Sequence, residues 1–233
     1  MKPQQRQLAS KIYLYLAALF ITSLVVSNLI FQKFFYWYPF EGEIFGSRLF
    51  ELSVGILPYP LTFLITDLIS EIYGKNAANR VVTAGIFASF FSMGILLMAD
   101  YVPAMESSPV DDATFTKVFS LSPLAVLASM IAYLLAQFVD IRIYHFWKKL
   151  THGKMLWLRN NFSTFASQFL DTFSVVILLS LFGILPWDLF VGLVLSGFIF
   201  KIIVAALDTP LLYLFVWIFR KKFDLKRGEE IKL

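Results

Sequence analysis

Apolar runs about 20 residues long, enough for a helix to cross a hydrocarbon core, recur along the whole chain, parted by stretches where charged residues collect. The pattern predicts six membrane-spanning helices, at residues 12–31, 52–73, 81–98, 121–144, 160–182 and 189–219. The second, within SVGILPYPLTFLITDLISEIYG from Ser53 to Gly74, is irregular. Pro58 and Pro60 stand near its start. Proline removes a backbone donor and clashes with the preceding turn, so the helix is interrupted or begins there. Asp67 and Glu71 stand near its end, four apart and therefore on one face. A carboxylate facing lipid costs about 2.5 to 3.5 kcal/mol, so that face turns toward protein or a water-filled cavity. The last run, at ~46 Å of helix against a core of about 30 Å, is longer than one crossing needs. Splitting it in two would carry its basic end to the other side of the membrane, so it is expected to be one span kinked at Pro210.

Composition agrees with this pattern: the chain is 58% hydrophobic and 18% aromatic, with a mean hydropathy of +0.72. The expected fold is all-α and polytopic, a single transmembrane domain over residues 1–233 with the lipid bilayer as its surroundings. The stretch 100–120, acidic and containing Pro103 and Pro109, reads as the only long external connection, a connector first and a surface lid or ordered cap second. The N-terminal MKPQQRQLASK leads into an apolar helix without a small-residue cleavage site and reads as a retained anchor.

Charge then orients the spans. Sixteen lysines and arginines fall at the N-terminus, in the second and fourth connections and in the tail, while the opposite side holds Lys33, Arg48 and Lys117 among acidic residues. By the positive-inside rule both termini are cytoplasmic, in the cell (inner) membrane. The net charge of +4 is absorbed by this asymmetry and implies no nucleic-acid partner. There is no cysteine, and His145 and His152 both fall in a basic loop, so neither a metal site nor a cofactor is expected.

The polar residues inside the spans carry the chemistry. On the fifth helix Asn161, Thr164, Gln168 and Asp171 form one stripe at i, i+3, i+7 and i+10, which should face the bundle interior. Tyr133, Gln137, Asp140 and Tyr144 repeat the pattern on the fourth, Gly197, Lys201 and Asp208 share a face of the sixth, and the first adds Ser27 and Asn28. Several have plainer alternatives. Asn28 can cross-link two helices by a hydrogen bond worth about 1 kcal/mol. Asp140 can form an interfacial charge pair with Arg142, and Glu71 can sit at the membrane surface in a structural role. Lys201 and Asp208 are seven apart, roughly 10 Å along the axis, so Lys201 should pair with an acid on another helix. No HExxH, GxSxG or phosphate-binding glycine loop is present, and no span holds a histidine base. An enzyme is therefore not expected, and the residues point to transport or binding of a small polar solute.

The string YPLTFLITDLISEIYGKNAANRVV, with its TDL-x-x-x-x-YGK core from Thr66 onward, resembles the second helix and following loop of the queuosine-precursor transporters, a group within the vitamin uptake transporter family. The segments VVSNLIFQK, AYLLAQFVDIRIYHFWKK, SQFLDT and FKIIVAALDTP follow in the order that the resemblance requires. It implies about six spans with cytoplasmic termini and import of the 7-deazaguanine bases 7-cyano-7-deazaguanine and 7-aminomethyl-7-deazaguanine for salvage into the tRNA nucleoside queuosine. Some relatives have Asn where this chain has Gln168. Such a base presents ring N–H and amine donors beside a carbonyl, which a carboxylate and an amide or ammonium can complement. The expected binders are Asp171 or Asp67 as acceptor, Gln168 and Lys201 as donors, and Asn28 and Gln137 as lining. Thr66, Glu71, Asp140, Asn161 and Asp208 form a second tier. The alternative is a substrate-binding subunit of an energy-coupling-factor importer, which would need a separate ATPase partner.

Overall fold

In the computed structural model, residues 3–31, 33–36, 43–44, 47–48, 51–119, 123–183 and 185–232 are described. Helix α1 (Pro3–Ile30) leads to a short antiparallel pair, β1 (Phe34–Tyr36) with β4 (Glu51–Ser53), and between these strands β2 (Glu43–Ile44) pairs with β3 (Ser47–Arg48). A 3-10 turn over Val54–Ile56 precedes α2 (Tyr59–Ile72), followed by α3 (Lys75–Tyr101), the short α4 (Asp112–Phe119), α5 (Pro123–Leu150) and α6 (Leu156–Leu181). A second 3-10 turn, Trp187–Leu189, leads into α7 (Phe190–Phe223). Among the described residues six helices, counting the turn before α2 with it, are long and apolar enough to cross a membrane. The chain is thus all-helical in its bulk.

The prolines of the second span start its helix. Pro58 occupies the N-cap position and Pro60 the second helical position, where a missing N–H is harmless. Alone α2 is 14 residues, ~21 Å, too short to span; the offset turn Val54–Ile56 completes the crossing. Every residue from Thr62 to Ile72 is buried, because α2 packs against α1, α3, α5 and α7 together. Ile65, Leu68, Ile69 and Ile72 join one apolar core with Phe20 and Leu24 of α1, Val81 and Val82 of α3, Ile141 of α5, and Leu212 and Val216 of α7. The other helices surround it, α5 against α6 and α6 against α7.

Three expectations need correction. The 100–120 connection is not the only long one on its side, since residues between α1 and α2 form the two strand pairs; these short strands lacked an apolar period long enough to register. The 100–120 connection itself is ordered locally: the Ala104 N–H donates to Asp112 Oδ1 at 2.8 Å and Thr116 Oγ1 to Asp100 Oδ1 at 2.7 Å. His145 does not lie in a loop, because α5 continues to Leu150 and buries that ring. As expected, the last span is one helix, of 34 residues with Pro210 inside it. Beyond it the tail turns back, and the Ile231 N–H donates to the Ile72 carbonyl at 2.7 Å, closing the C-terminal end of α2.

Gly55 fixes the approach of the turn to α1. A Cβ there would lie 2.6 Å from the Ser27 carbonyl oxygen and 2.9 Å from Phe31 Cβ, contacts that only backbone movement can relieve. Gly55→Val should therefore destabilise the protein by about 1–3 kcal/mol, read as a lowered Tm in detergent, whereas Gly94→Ala, with nothing within 4 Å, should leave Tm unchanged.

Candidate functional site

A cavity of about 220 Å³ opens between α1, the start of α2, α3, α5, α6 and α7. Its wall is mostly apolar, with Phe31, Met130 and the rings of Tyr59 and Tyr133, whose centroids are 5.4 Å apart in an edge-on arrangement. Polar groups converge at one side. Lys201 Nζ reaches Asp171 Oδ2 at 2.5 Å, the Tyr59 hydroxyl donates to the same oxygen at 2.7 Å, and Lys201 also lies 4.9 Å from the Tyr59 ring centroid. The second carboxylate oxygen, Asp171 Oδ1, is buried without a hydrogen-bond partner, as are Ser27 Oγ and Ser89 Oγ in the same wall. Buried polar atoms are normally satisfied. All three belong to residues that line one cavity, which makes them candidates to bond a solute there.

Tyr59 and Lys201 also line a second, narrower cavity of about 20 Å³, whose other walls include Asp67, Asn160, Thr164, Gln168 and Asp208. With Ile56, which also lines both, these two side chains form the partition between the chambers. Thr164 Oγ1, Gln168 Oε1 and Asp67 Oδ1 are again buried and unpartnered. Asp140 of α5 is fully buried, its Oδ1 accepting from Ser167 Oγ at 3.0 Å.

The third cluster lies at the C-terminal end of α2. Glu71 Oε1 is bound by Arg159 at 2.6 Å and by Arg220, while its Oε2 accepts from the Tyr144 hydroxyl at 3.1 Å and lies 3.6 Å from Lys148 Nζ. Lys148 in turn donates to the carbonyls of Ser70 and Glu71 and meets Glu230 of the returning tail at 2.8 Å. A buried charge is tolerable only with such partners. The cluster ties α2, α5, α6, α7 and the tail together at the basic end of the bundle.

Of the six expected binders, Asn28, Asp171 and Lys201 line the larger cavity, and Asp67, Gln168 and Lys201 the smaller. Gln137 supports the wall from behind, its Nε2 donating to the Tyr133 hydroxyl at 2.8 Å. In the second tier, Asp208 lines the smaller cavity. The Thr66 hydroxyl is spent on the Thr62 and Phe63 carbonyls, and Asn161 bonds Trp157 and Thr209. Lys201 pairs with an acid on another helix, as its distance from Asp208 required. Glu71 stands in the structural alternative, though buried within protein at 1% exposure. The alternative for Asp140 is corrected: it is buried against Ser167 while Arg142 is exposed. Sequence reasoning missed Tyr59, Tyr133 as a wall residue, Ser89, and the cations Arg159, Arg220 and Lys148. Arg159 and Lys148 were counted with a loop, although each carries apolar helical spacing on its flank that could have drawn it into a helix.

Residues 53–215 match the family described as "Putative vitamin uptake transporter". Over 176 residues, 73% of this chain and 73% of the relative, the chain is 29% identical to the protein of Bacillus subtilis (strain 168) described as "Probable queuosine precursor transporter". No solved structure matches it. The geometry at Glu71 generates its own test: Glu71→Gln leaves Arg159 and Arg220 without a counter-charge, and the loss should be about 3–5 kcal/mol, seen as a large fall in detergent Tm and in membrane yield.

Proposed function

The chain belongs to the vitamin uptake transporter family, and we propose that it imports a queuosine precursor, a 7-deazaguanine base, across the cell (inner) membrane for salvage into tRNA queuosine. It is a multi-pass membrane transporter; the substrate, direction and site are the proposal. The relative from Bacillus subtilis and the apolar cavity ending in Asp171 support it. The cavity has the volume of roughly seven waters at about 30 Å³ each, the scale of a bicyclic heteroaromatic. Both termini are proposed to be cytoplasmic, which the sixteen-to-three distribution of basic residues favours.

The observation that carries the reading is the half-occupied carboxylate. Asp171 Oδ2 is taken by Lys201 and Tyr59, which hold the side chain in one orientation, and Oδ1 is left to accept the ring N–H and exocyclic amine of a guanine-like edge. An ammonium has three donors, so Lys201 can also donate to the carbonyl of that edge. The Tyr59 and Tyr133 rings supply apolar walls for the bicyclic body, and Asn28, Ser27 and Ser89 reach its far rim. Asp67 and Gln168 meet the solute next, once the partition made by Tyr59 and Lys201 moves. Because Tyr59 is the first residue of α2, that movement is a displacement of the start of the short helix against α6 and α7, in the manner of carriers with discontinuous helices.

The test is the queuosine content of tRNA in cells unable to make 7-deazaguanines, fed a low concentration of 7-cyano- or 7-aminomethyl-7-deazaguanine. The wild-type chain should restore queuosine, and Asp171→Asn, at equal membrane expression, should lower restoration at least tenfold. No restoration by a correctly inserted wild type with either base would refute the proposal.

A further inference from the structure

At the basic end of the bundle a third cavity, of about 850 Å³, lies between α3, α5 and the returning tail. Its lining follows from helical spacing. Arg142, His145, Phe146 and Lys149 stand at i, i+3, i+4 and i+7, which is one face of α5, and all four line it. The start of α3 adds Lys75 and Arg80, and the tail adds Lys232. Five cations therefore share one cavity, and none of them makes a salt bridge among the described residues. Glu230 is the one acid in this wall, and Lys148 takes its Oε1 at 2.8 Å. Like charges gathered without a counter-charge repel and raise the local positive potential, which an entering anion relieves. No residue of this cavity lines either of the other two, so the solute site lies elsewhere.

Two further features call for an acceptor in the same space. The N-cap of α3 is Gly74, and no side chain caps that end of the helix. The first N–H groups of a helix have no partner within it, and Lys75, Asn76 and Ala77, which carry them, line the cavity. Such an end holds partial positive charge and free donors, a setting suited to phosphate. His145 is an independent sign. It is 9% exposed, it lines the cavity, and its Nε2 is buried without a hydrogen-bond partner among the described residues. Buried polar atoms are normally bonded, and the tautomer protonated at Nε2 has an N–H to donate.

We propose that this cavity binds a phosphate group, presented by an anionic phospholipid of the adjoining leaflet. Phosphate oxygens accept several bonds at once, and the guanidinium forks of Arg80 and Arg142 suit their geometry. Position favours a lipid over a dissolved anion. The apolar span of α5 runs to Leu150, and Phe146 and Leu150, one turn apart, are 62% and 59% exposed, an apolar flank for acyl chains beside the charged basin. Basic pockets between helices at a membrane face hold headgroups in this way. A headgroup there bridges α3, α5 and the tail, the segment whose Ile231 N–H closes the end of α2. The proposal stands whatever solute the protein carries.

The test uses the purified full-length wild type, stripped of lipid in detergent. The probes are cardiolipin, phosphatidylcholine, and inorganic phosphate against chloride at equal ionic strength. Binding is read by native mass spectrometry and by Tm, which rises with a ligand that only the folded state holds. Cardiolipin should bind as a single molecule per protein and raise Tm at concentrations where phosphatidylcholine does neither. Arg142→Gln with Lys149→Gln should weaken cardiolipin binding by about tenfold or more. Lys222→Gln with Lys226→Gln removes the same charge outside the cavity and should leave binding nearly unchanged. All four side chains are exposed, so the Tm of the lipid-free variants should match the wild type, which separates lost binding from lost folding. A Tm raised by inorganic phosphate and not by cardiolipin would support the phosphate site and overturn its lipid source. Equal loss in the two double variants, or no preference for cardiolipin together with no effect of phosphate, would overturn the site itself.

Discussion

The contact between Asp171 and Lys201, across α6 and α7, is the constraint on which the centre of the molecule depends. Lys201 is set well inside a helix of 34 residues, and its charge is answered by one carboxylate oxygen and one aromatic face. That same oxygen binds the hydroxyl of Tyr59, the first residue of α2, so the pair also sets where the short helix begins. Remove either charge and the other is left buried and uncompensated, a state that costs several kcal/mol. With both in place, two cavities are separated by Ile56, Tyr59 and Lys201, and one carboxylate oxygen remains unused.

The four buried acids on α2, α5 and α6 are stabilised in three different ways. Glu71 is surrounded by Arg159, Arg220 and Lys148, a saturated arrangement with no capacity left for a solute. Asp171 has a single cation and a tyrosine on one oxygen only, which leaves the other oxygen without a partner. Asp67 and Asp140 take part in no salt bridge among the described residues: Asp140 accepts from Ser167, and Asp67 lines the smaller cavity. Saturation ties the elements at the basic end of the bundle together, and half-saturation is suited to recognition. Acidic side chains thus serve different purposes according to how many donors reach them.

Much of this was legible in the chain. The six apolar runs and the proline start of the second helix follow from hydropathy and backbone sterics and stand in the structure as such, and of the polar stripe on α6 Thr164, Gln168 and Asp171 are buried while Asn161 is only partly so. The pairing of Lys201 with an acid on a different helix also followed from axial distance alone. Partnership between helices did not. Nothing in the spacing tells that Asp171 rather than Asp67 faces Lys201, or that Asp140 meets Ser167 rather than Arg142, because those choices depend on how α2, α5 and α6 are rotated against one another. Tyr59 was hidden by its neighbours, since two prolines drew attention to the backbone and away from the hydroxyl between them. The Glu71 cluster was hidden by helix length: α5 and α6 extend past the points where hydropathy falls, and that extension brings Lys148 and Arg159 inside.

The most direct measurement is an experimental structure of the protein in a membrane mimic with 7-cyano-7-deazaguanine bound. The account predicts the base in the larger cavity, its body between Tyr59 and Tyr133 and its amine-bearing edge at Asp171 Oδ1, with Lys201 close to its carbonyl. A base bound at the basic end of the bundle, or one in the larger cavity that turns its edge away from Asp171, would contradict it.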